Sequence, residues 1–436
     1  MRFGDSWDAG HLFPPRELIL TRQDTQQYET LADQLVAETL QACEDFIADR
    51  RSVNLERWRL VNEKGSMTAY RSRQRRKRRV QRDRLETEEA VEVSVLHRPK
   101  LYSADSSLSD LMGRSHTHLS YEDSQDGSSL GGYDDYEESR IGSDAPEQSA
   151  MDKSRPPHTP MVFGGGVIPG TVEDAGLGFL ADTEDRTIMR TTGDKDAAIK
   201  DIRILAKIHG PTEQDPFRFL GIKWNSYHSG HVSKPRDLLA LEATGMTLDS
   251  NGEKVCYFLT HSIEIDDVPE FRKQGLVRLR SSSCRIVRPY NSQGEVEVYF
   301  RGFCNAGGHL PVSTSTQMFC DLMLATTQVV EESYLKKLAW FVHAYTRRQN
   351  SHRDDSASIE GCACCHKLPT KGLKKLLESR STCFLCRHKV CKKCTVKKHL
   401  PMGSDNKKSL EFCLTCYLKA KKLSALRVAL ATLPKP

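Results

Sequence analysis

Four cysteine pairs near the C-terminal end constrain the fold of this chain more than any other feature. Nine of its fourteen cysteines lie between Cys362 and Cys416, and eight of these form pairs with a two-residue gap. The pairs are Cys362 and Cys365, Cys383 and Cys386, Cys391 and Cys394, and Cys413 and Cys416. Such a gap lets a tight turn direct two thiolates at one ion, and a tetrahedral zinc site takes two such turns. Four pairs therefore predict two zinc ions.

Disulfide bonds are the alternative use of so many cysteines. They need an oxidising compartment, and small disulfide-rich domains usually follow a secretion signal. The chain begins Met1-Arg-Phe-Gly-Asp, without an apolar stretch, so we expect no targeting helix. A redox role for one pair lacks the βαβ surroundings typical of thioredoxin-like proteins. The sequence therefore favours zinc in a cytoplasmic protein.

The spacing between the second and third pairs is the most specific part of the cluster. The segment Cys383-Phe-Leu-Cys386-Arg-His-Lys-Val-Cys391-Lys-Lys-Cys394 resembles a FYVE-type zinc finger, and the resemblance covers residues 359–431. It implies a cross-brace in which pairs one and three hold one zinc ion and pairs two and four hold the other. The implied ligands are Cys362, Cys365, Cys391 and Cys394 for one ion, and Cys383, Cys386, Cys413 and Cys416 for the other. Cys364 is left over.

A RING-type finger, as found in ubiquitin ligases, is the competing interpretation. It would take His388 as a ligand and leave Cys386 idle, so the spacing favours the FYVE-like interpretation. A RING-like ubiquitin ligase and a protein-interaction scaffold remain the alternatives. Zinc sites with four protein ligands leave no position for a substrate, and the chain lacks the nucleophile-elbow, zinc-protease and phosphate-loop motifs. We therefore expect a protein that is not an enzyme.

Most of the lipid-binding motif of FYVE-type fingers is missing here. Those fingers bind phosphatidylinositol 3-phosphate through a basic block around the third cysteine, and only Arg380 of that block is retained. From Cys362 to Pro436, however, eighteen Lys and Arg stand against three Asp and Glu. The candidate headgroup contacts are Arg380, Lys374, Lys375, Lys389 and Lys392. We expect peripheral attraction to anionic membrane lipid, endosomal membranes included, and not to nucleic acid.

An acidic, serine-rich segment interrupts the first part of the chain. It follows the run Arg75-Arg-Lys-Arg-Arg79 and is poor in aliphatic residues up to Glu147. Such a segment buries too little apolar surface to offset the entropy of ordering, so residues 74–157 are predicted to be a disordered insertion. Residues 1–73 and 158–350 would form one domain, residues 351–361 a linker and residues 362–436 the finger. Nuclear import through the arginine run is the less favoured interpretation.

The remaining residues predict an α+β domain. Apolar spacing predicts helices at 24–46, 172–181 and 197–208, and a long helix from Pro311 to about Arg348. Strand signals lie at 58–71 and, around a hairpin turn at Asn251-Gly252, between residues 239 and 300. His261 lies on an apolar strand face, where a buried histidine is expected rather than a ligand. Gly164-Gly165-Gly166 predicts a flexible turn, because no G-K-[ST] follows it.

This element order, helix, strands, helices, antiparallel meander and long helix, is that of an α+β fold. Together with Pro216-Phe217, Ile222-Lys223-Trp224 and Lys336-Lys337-Leu338-Ala-Trp340, it resembles the START-like helix-grip domains that precede FYVE-type fingers in oomycete proteins. The resemblance implies an antiparallel sheet around a long C-terminal helix, with a cavity for an apolar lipid. The helix face that carries Met318 and Met323 fits such a cavity or an ordinary packed core. The whole chain is thus expected to be a zinc-binding, lipid- or membrane-associated protein.

Overall fold

The computed structural model of the chain describes residues 17–73, 149–191, 197–229, 234–291, 294–349, 361–368, 381–401 and 407–433. Contacts divide the chain into one unit of residues 1–75 with 148–436, and a second unit of residues 76–147. The second unit lies wholly outside the described residues. The predicted insertion at 74–157 is therefore described only from Ser149 onward.

The described residues form eight α-helices. They are α1 (Arg22–Ala48), α2 (Ala150–Lys153), α3 (Val172–Phe179), α4 (Glu184–Thr191), α5 (Val312–Leu324), α6 (Val329–Gln349), α7 (Leu414–Lys421) and α8 (Ala425–Ala431). Helix α1 begins at a capping box in which Thr21 and Asp24 exchange hydrogen bonds. None of the helices in the described ranges is both long and apolar enough to cross a membrane.

The strands build one large sheet and two small ones. They are β1 (Trp58–Lys64), β2 (Met67–Ser72), β3 (Val162–Pro169), β4 (Ala197–His209), β5 (Phe219–Ser229), β6 (Arg236–Leu248), β7 (Lys254–Ser262), β8 (Val277–Arg278), β9 (Arg280–Asn291), β10 (Glu295–Asn305), β11 (Ser381–Thr382), β12 (Lys389–Val390), β13 (Thr395–Pro401) and β14 (Lys407–Cys413). The large sheet has the antiparallel order β1-β2-β3-β10-β9-β7-β6-β5-β4, and β8 pairs in parallel with β6. The predicted α+β class with a large antiparallel sheet is confirmed.

Strand β4 replaces the helix predicted at residues 197–208. It pairs with β5 along its whole length, but the register shifts between Ile199 and Asp201, between Ile204 and Ala206, and between Lys207 and His209. Each β-bulge adds a residue and breaks the two-residue alternation. The apolar residues of β4 therefore recur at three-residue steps, which mimic the period of a helix.

The helices cover both faces of the large sheet. Helix α1 buries Leu35 and Cys43 on one face, in one core cluster with Trp224 and Leu259 of the sheet. Helices α3, α5 and α6 pack on the other face, where Phe258 is one of the buried residues. The sheet and its two helix layers thus enclose the apolar core.

The C-terminal helix is broken, although the sequence predicts one continuous helix from Pro311 to about Arg348. A 3-10 turn at Ala325–Gln328 separates α5 from α6. Within that turn the Thr326 hydroxyl accepts a hydrogen bond of 2.8 Å from Nε of the buried Arg285. A buried guanidinium needs such a partner, and the break supplies one.

The three consecutive glycines lie inside strand β3, not in the predicted flexible turn. Strand β3 is bonded to β2 on one side and to β10 on the other. A Cβ added at Gly164, Gly165 or Gly166 would collide with a backbone carbonyl oxygen of a neighbouring strand segment. The glycines therefore permit a close approach of backbones, which is the usual meaning of glycine within a strand.

Residues 149–157 belong to the fold and not to the insertion. In the short helix α2, Met151 is 1% exposed and packs in the core under α1. The Ala150 N–H also donates a 2.8 Å hydrogen bond to the Glu38 carboxylate of α1. A helix of four residues has too few turns to show a periodic pattern, which explains the misplaced boundary.

Deletion variants of the full chain test this boundary. Joining Arg75 to Gln148 should preserve the stability of the fold, whereas deletion of residues 74–157 should lower it, because Met151 is lost. Met151→Ala alone should reduce the free energy of unfolding by about 2–5 kcal/mol. Lys153→Ala, at an exposed position of the same helix, is the control and should change it little. Equal urea midpoints for the two deletions would contradict the assignment.

Candidate metal centres

The structure brings the eight paired cysteines together in two groups of four. In each group the four sulfur atoms lie within 4.8 Å of one another. The first group is Cys362, Cys365, Cys391 and Cys394, and the second is Cys383, Cys386, Cys413 and Cys416. Each group combines two pairs that are not neighbours in sequence, so the pairing alternates along the chain. These are the two sets that the resemblance implied.

Tight turns at the first two cysteine pairs orient the sulfur atoms of those pairs. His366 and Arg387, each four residues after the first cysteine of a pair, have positive φ angles of 57° and 59°. Their N–H groups donate to the carbonyls of Cys362 and Cys383, and these hydrogen bonds close the two turns. The hairpin of β11 and β12 then carries the chain from the second pair to the third.

The other two pairs use helical turns. Cys394 ends a 3-10 turn at Lys392–Cys394, and Cys413 is the N-cap of α7. The Cys416 N–H donates to Cys413 Sγ at 3.3 Å, and the Cys391 N–H donates to Cys362 Sγ at 3.4 Å. Such N–H donors stabilise a thiolate over a thiol.

The cysteine thiols within a group differ in pKa and therefore in how readily they carry negative charge. A hydrogen bond with Cys416, opposed by burial and helped by nearby backbone N–H groups, lowers the pKa of Cys383 to about 4. The same hydrogen bond to Cys383 raises the pKa of Cys416 far above its usual value. Four thiolates this close repel one another, and a divalent cation at their centre would hold all four ionised.

His388 and Cys364 belong to neither group. The described hydrogen bond of His388 is made by its backbone carbonyl, which accepts from the Cys383 N–H. Cys386, which a RING-type ligand set would leave idle, is instead a member of the second group. Cys364 Sγ lies 3.4 Å from Thr415 Oγ1, so it contacts the fourth pair from its position inside the first. The structure therefore groups Cys386 with Cys383, Cys413 and Cys416 and leaves His388 outside both groups.

The candidate headgroup lysines are only partly described. Lys389 and Lys392 are exposed on the finger, while Arg380, Lys374 and Lys375 lie outside the described residues. Lys393 and Lys397 are exposed as well and were not among the candidates. The high lysine content of the finger pointed to such residues. The sequence does not show, however, which of these lysines are exposed to solvent.

The core of the finger extends into helix α6. Leu338 and Val342 of α6 are buried in one cluster with Leu385, Leu400 and Phe412 of the finger. The sequence analysis predicted a domain boundary between these two groups of residues. The finger and the helix instead share one apolar core.

Charged and aromatic groups line the rim of this shared core. The Glu331 carboxylate of α6 lies 3.4 Å from the ammonium groups of both Lys398 and Lys421, and it accepts a hydrogen bond from the Tyr417 hydroxyl. The Lys421 ammonium also lies 4.1 Å from the centre of the Tyr334 ring. These contacts orient α7 and the β13–β14 hairpin against α6.

The last helix of the finger packs on the other domain. Val428 and Ala429 of α8 are buried with Leu177 of α3 and with Phe217. The Arg186 guanidinium of α4 donates a 3.1 Å hydrogen bond to the Thr432 carbonyl just beyond α8. Helix α8 therefore fixes the C-terminal end of the finger to α3 and α4.

Two buried lysines join α6 to α3. Lys336 donates to the Leu177, Gly178 and Leu180 carbonyl oxygens at 2.7, 2.8 and 2.7 Å. A cation at this position satisfies the free carbonyls at the C-terminal end of α3. Lys337 lies 2.5 Å from the Asp174 carboxylate.

Two cavities among the described residues are small or shallow. One of about 230 Å³ is lined by Ser154, His261, Ser262, Ile263, Glu264, Arg278, Leu279, Arg280, Ser281 and Phe303. A depression of about 440 Å³ along α1 is lined by Gln23, Gln26, Gln27, Thr30, Leu31 and Gln34. As expected, His261 is buried; its Nδ1 lies 2.9 Å from Ser282 Oγ, and burial lowers its pKa to about 4.

The methionine-bearing helix face lines neither of these two cavities. Phe319 and Met323 are buried against the sheet, whereas Leu322 is exposed. Between the two interpretations that the sequence left open, the structure shows a packed core.

One buried ion pair lies on the sheet surface near α4. The Lys223 ammonium lies 2.5 Å from the Glu242 carboxylate, and both side chains are buried. Lys223 also donates to the Ala181 carbonyl and to the Thr187 hydroxyl, so it joins β5 to the segment around α4. Buried charges of this kind persist only when they are paired.

No protein-family model and no curated protein match the chain. Among solved structures, human STARD10 is similar at 9% identity and a TM-score of 0.34, over 78% of this chain and 88% of that one. Human StAR-related lipid transfer protein 5 is similar at 12% identity and 0.36, over 69% and 96%. The human StarD13 lipid transfer and protein localization domain is similar at 16% identity and 0.30, over 40% and 77%. Identities and TM-scores this low carry no conclusion about the function of this chain.

Proposed function

We propose that this chain is a zinc-binding, non-enzymatic protein that associates peripherally with anionic membranes through a FYVE-like finger. The observation that carries the proposal is the pair of four-cysteine groups inside a strongly basic module. The groups supply a stable scaffold, and the lysines around them supply the attraction to an anionic surface.

The proposed ligands are the eight cysteines of the two groups, with one zinc ion in each. Four sulfur donors in a tetrahedral arrangement are typical of structural zinc. Because the protein supplies every ligand, neither ion has a position for water or substrate. Zinc would thus serve the folding of the finger and not a reaction.

Charge on the finger supports attraction to membranes. Residues 362–436 carry eighteen basic and three acidic side chains, a net charge of +15, and Lys389, Lys392, Lys393 and Lys397 are exposed. Each Lys or Arg near an anionic leaflet contributes about 1 kcal/mol to binding, and salt screens this attraction. Recognition of one phosphoinositide isomer needs several donors at fixed positions. We therefore propose binding to anionic cytoplasmic leaflets, those of endosomes included, with little headgroup selectivity.

An apolar lipid held by the START-like domain is the second part of the proposal. It rests on the resemblance of the sequence. In the described structure Phe319 and Met323 fill the space between helix α5 and the sheet. Entry of a lipid would therefore require α5 and α6 to move away from the sheet.

Metal analysis of the purified full chain tests the zinc sites. We expect two zinc ions per chain, one ion after Cys391→Ser, and two after the control Cys364→Ser, whose sulfur lies outside both groups. Zinc should also be released as the pH is lowered, because protons compete for the thiolates. One ion or none in a folded wild-type chain would contradict the proposal.

Sedimentation of the full chain with vesicles tests the membrane function. Binding should follow total anionic lipid, be similar for phosphatidylserine and phosphatidylinositol 3-phosphate at matched surface charge, and weaken as salt is raised. Lys389→Glu combined with Lys392→Glu should reduce it.

The control for this experiment is Lys207→Glu combined with Lys273→Glu, which makes the same change in net charge at two exposed positions. Both positions lie in the part of the fold that contains the large sheet, within residues 17–349, here called the sheet domain. It should bind nearly as well as wild type. Absence of binding at low salt would refute the membrane function and favour a protein scaffold. Salt-resistant preference for phosphatidylinositol 3-phosphate would refute the lack of selectivity.

A further inference from the structure

Exposed leucines are concentrated on the last two helices of the chain. Leu414 and Leu418 on α7 are 41% and 44% exposed, and Leu426 and Leu430 on α8 are 42% and 38% exposed. In each helix the two leucines are four residues apart and therefore share a face. Four of the twelve large apolar side chains that are exposed in the described residues thus fall within one short segment.

The fold holds these leucines outward. On α7, Tyr417 and Ala420 are buried in the core shared with α6. On α8, Val428 and Ala429 are buried against Leu177 and Phe217, together with Ala425. Neither helix can rotate to cover its leucines without exposing these residues.

Positive charge surrounds the leucines. Residues 412–436 contain five Lys and Arg and no Asp or Glu. Lys419, Lys422 and Arg427 are exposed and have no ion-pair partner among the described residues, whereas Lys421 is turned towards Glu331. An apolar helix face bordered by unpaired cations matches the interface of an anionic bilayer, where the leucines enter the acyl boundary and the cations meet the headgroups.

We propose that α7 and α8 form the membrane-contacting surface of the finger, made of Leu414, Leu418, Leu426 and Leu430 with Lys419, Lys422 and Arg427. This inference rests on the proposed membrane function and goes beyond it, because it assigns binding to a defined apolar surface and not to diffuse charge alone. Apolar insertion does not weaken with salt, so a fraction of the binding should survive at physiological ionic strength.

The test uses the zinc-loaded full chain and phosphatidylcholine vesicles with or without phosphatidylserine. Leu414→Ser with Leu418→Ser, and separately Leu426→Ser with Leu430→Ser, should each lower partitioning at physiological salt by roughly tenfold. Leu55→Ser with Leu248→Ser is the matched control, because both leucines are 61% exposed and lie in the sheet domain. It should partition like wild type, and all variants should retain two zinc ions.

A second measurement stands if a serine variant fails to fold. In Leu418→Trp, brominated phosphatidylcholine in mixed anionic vesicles should quench tryptophan fluorescence more strongly than in wild type, whereas in Leu248→Trp it should not.

The possible outcomes separate this surface from the membrane function. If wild type binds, but the leucine variants partition unchanged and Leu418→Trp shows no added quenching, this surface is refuted and the membrane function stands. Loss of self-association in the leucine variants, with unchanged partitioning, would assign the surface to a second copy of the chain. Failure of wild type to bind would instead refute the membrane function itself.

Discussion

Helix α6 is buried against both α3 and the finger, and both parts of the structure depend on that burial. Lys336 and Lys337 bind α3 through helix-end carbonyls and the Asp174 carboxylate, and Lys337 also donates to the Lys421 carbonyl of α7. Leu338 and Val342 enter the apolar core of the finger. The 75 residues of the finger form a small apolar core, and the face of α6 that carries Leu338 and Val342 enlarges it.

Buried charge also determines how the sheet domain can work. Lys223 pairs with Glu242 beneath α3 and α4, and Arg285 bonds Thr326 at the break between α5 and α6. Separation of the helices from the sheet would break the hydrogen-bonded pairs that Lys223 forms with the Ala181 carbonyl and the Thr187 hydroxyl, and the pair of Arg285 with Thr326, and buried cations resist the loss of such partners. A lipid-carrying state would have to keep such pairs intact or rehydrate them. The apolar interior implied by the resemblance is therefore partly a polar one in this chain.

The sequence predicts the elements whose signal is local. The spacing of the pairs predicted which eight cysteines come together, and Asn251-Gly252 predicted a hairpin turn, at which Gly252 has a φ of 76°. Sequence-based prediction fails where contacts with distant residues decide the structure. Three bulges give β4 the apolar spacing of a helix, and the four-residue helix α2 is held by tertiary contacts, namely burial of Met151 and the hydrogen bond from Ala150 to Glu38. The sequence also does not reveal that the finger shares α6 with the sheet domain, because the finger residues in the core around Leu338 lie many positions away in the chain.

Hydrogen exchange along α6, measured with and without a zinc chelator, tests the shared helix most directly. If the finger and the sheet domain depend on α6 together, chelation should strip protection from amides in residues 335–345, because Leu338 and Val342 lose their partners. Amides of the central strands β6 and β7 should remain protected. Full protection of residues 335–345 after both ions have been removed would contradict this account, and the finger would then be an independent module attached to an already stable domain.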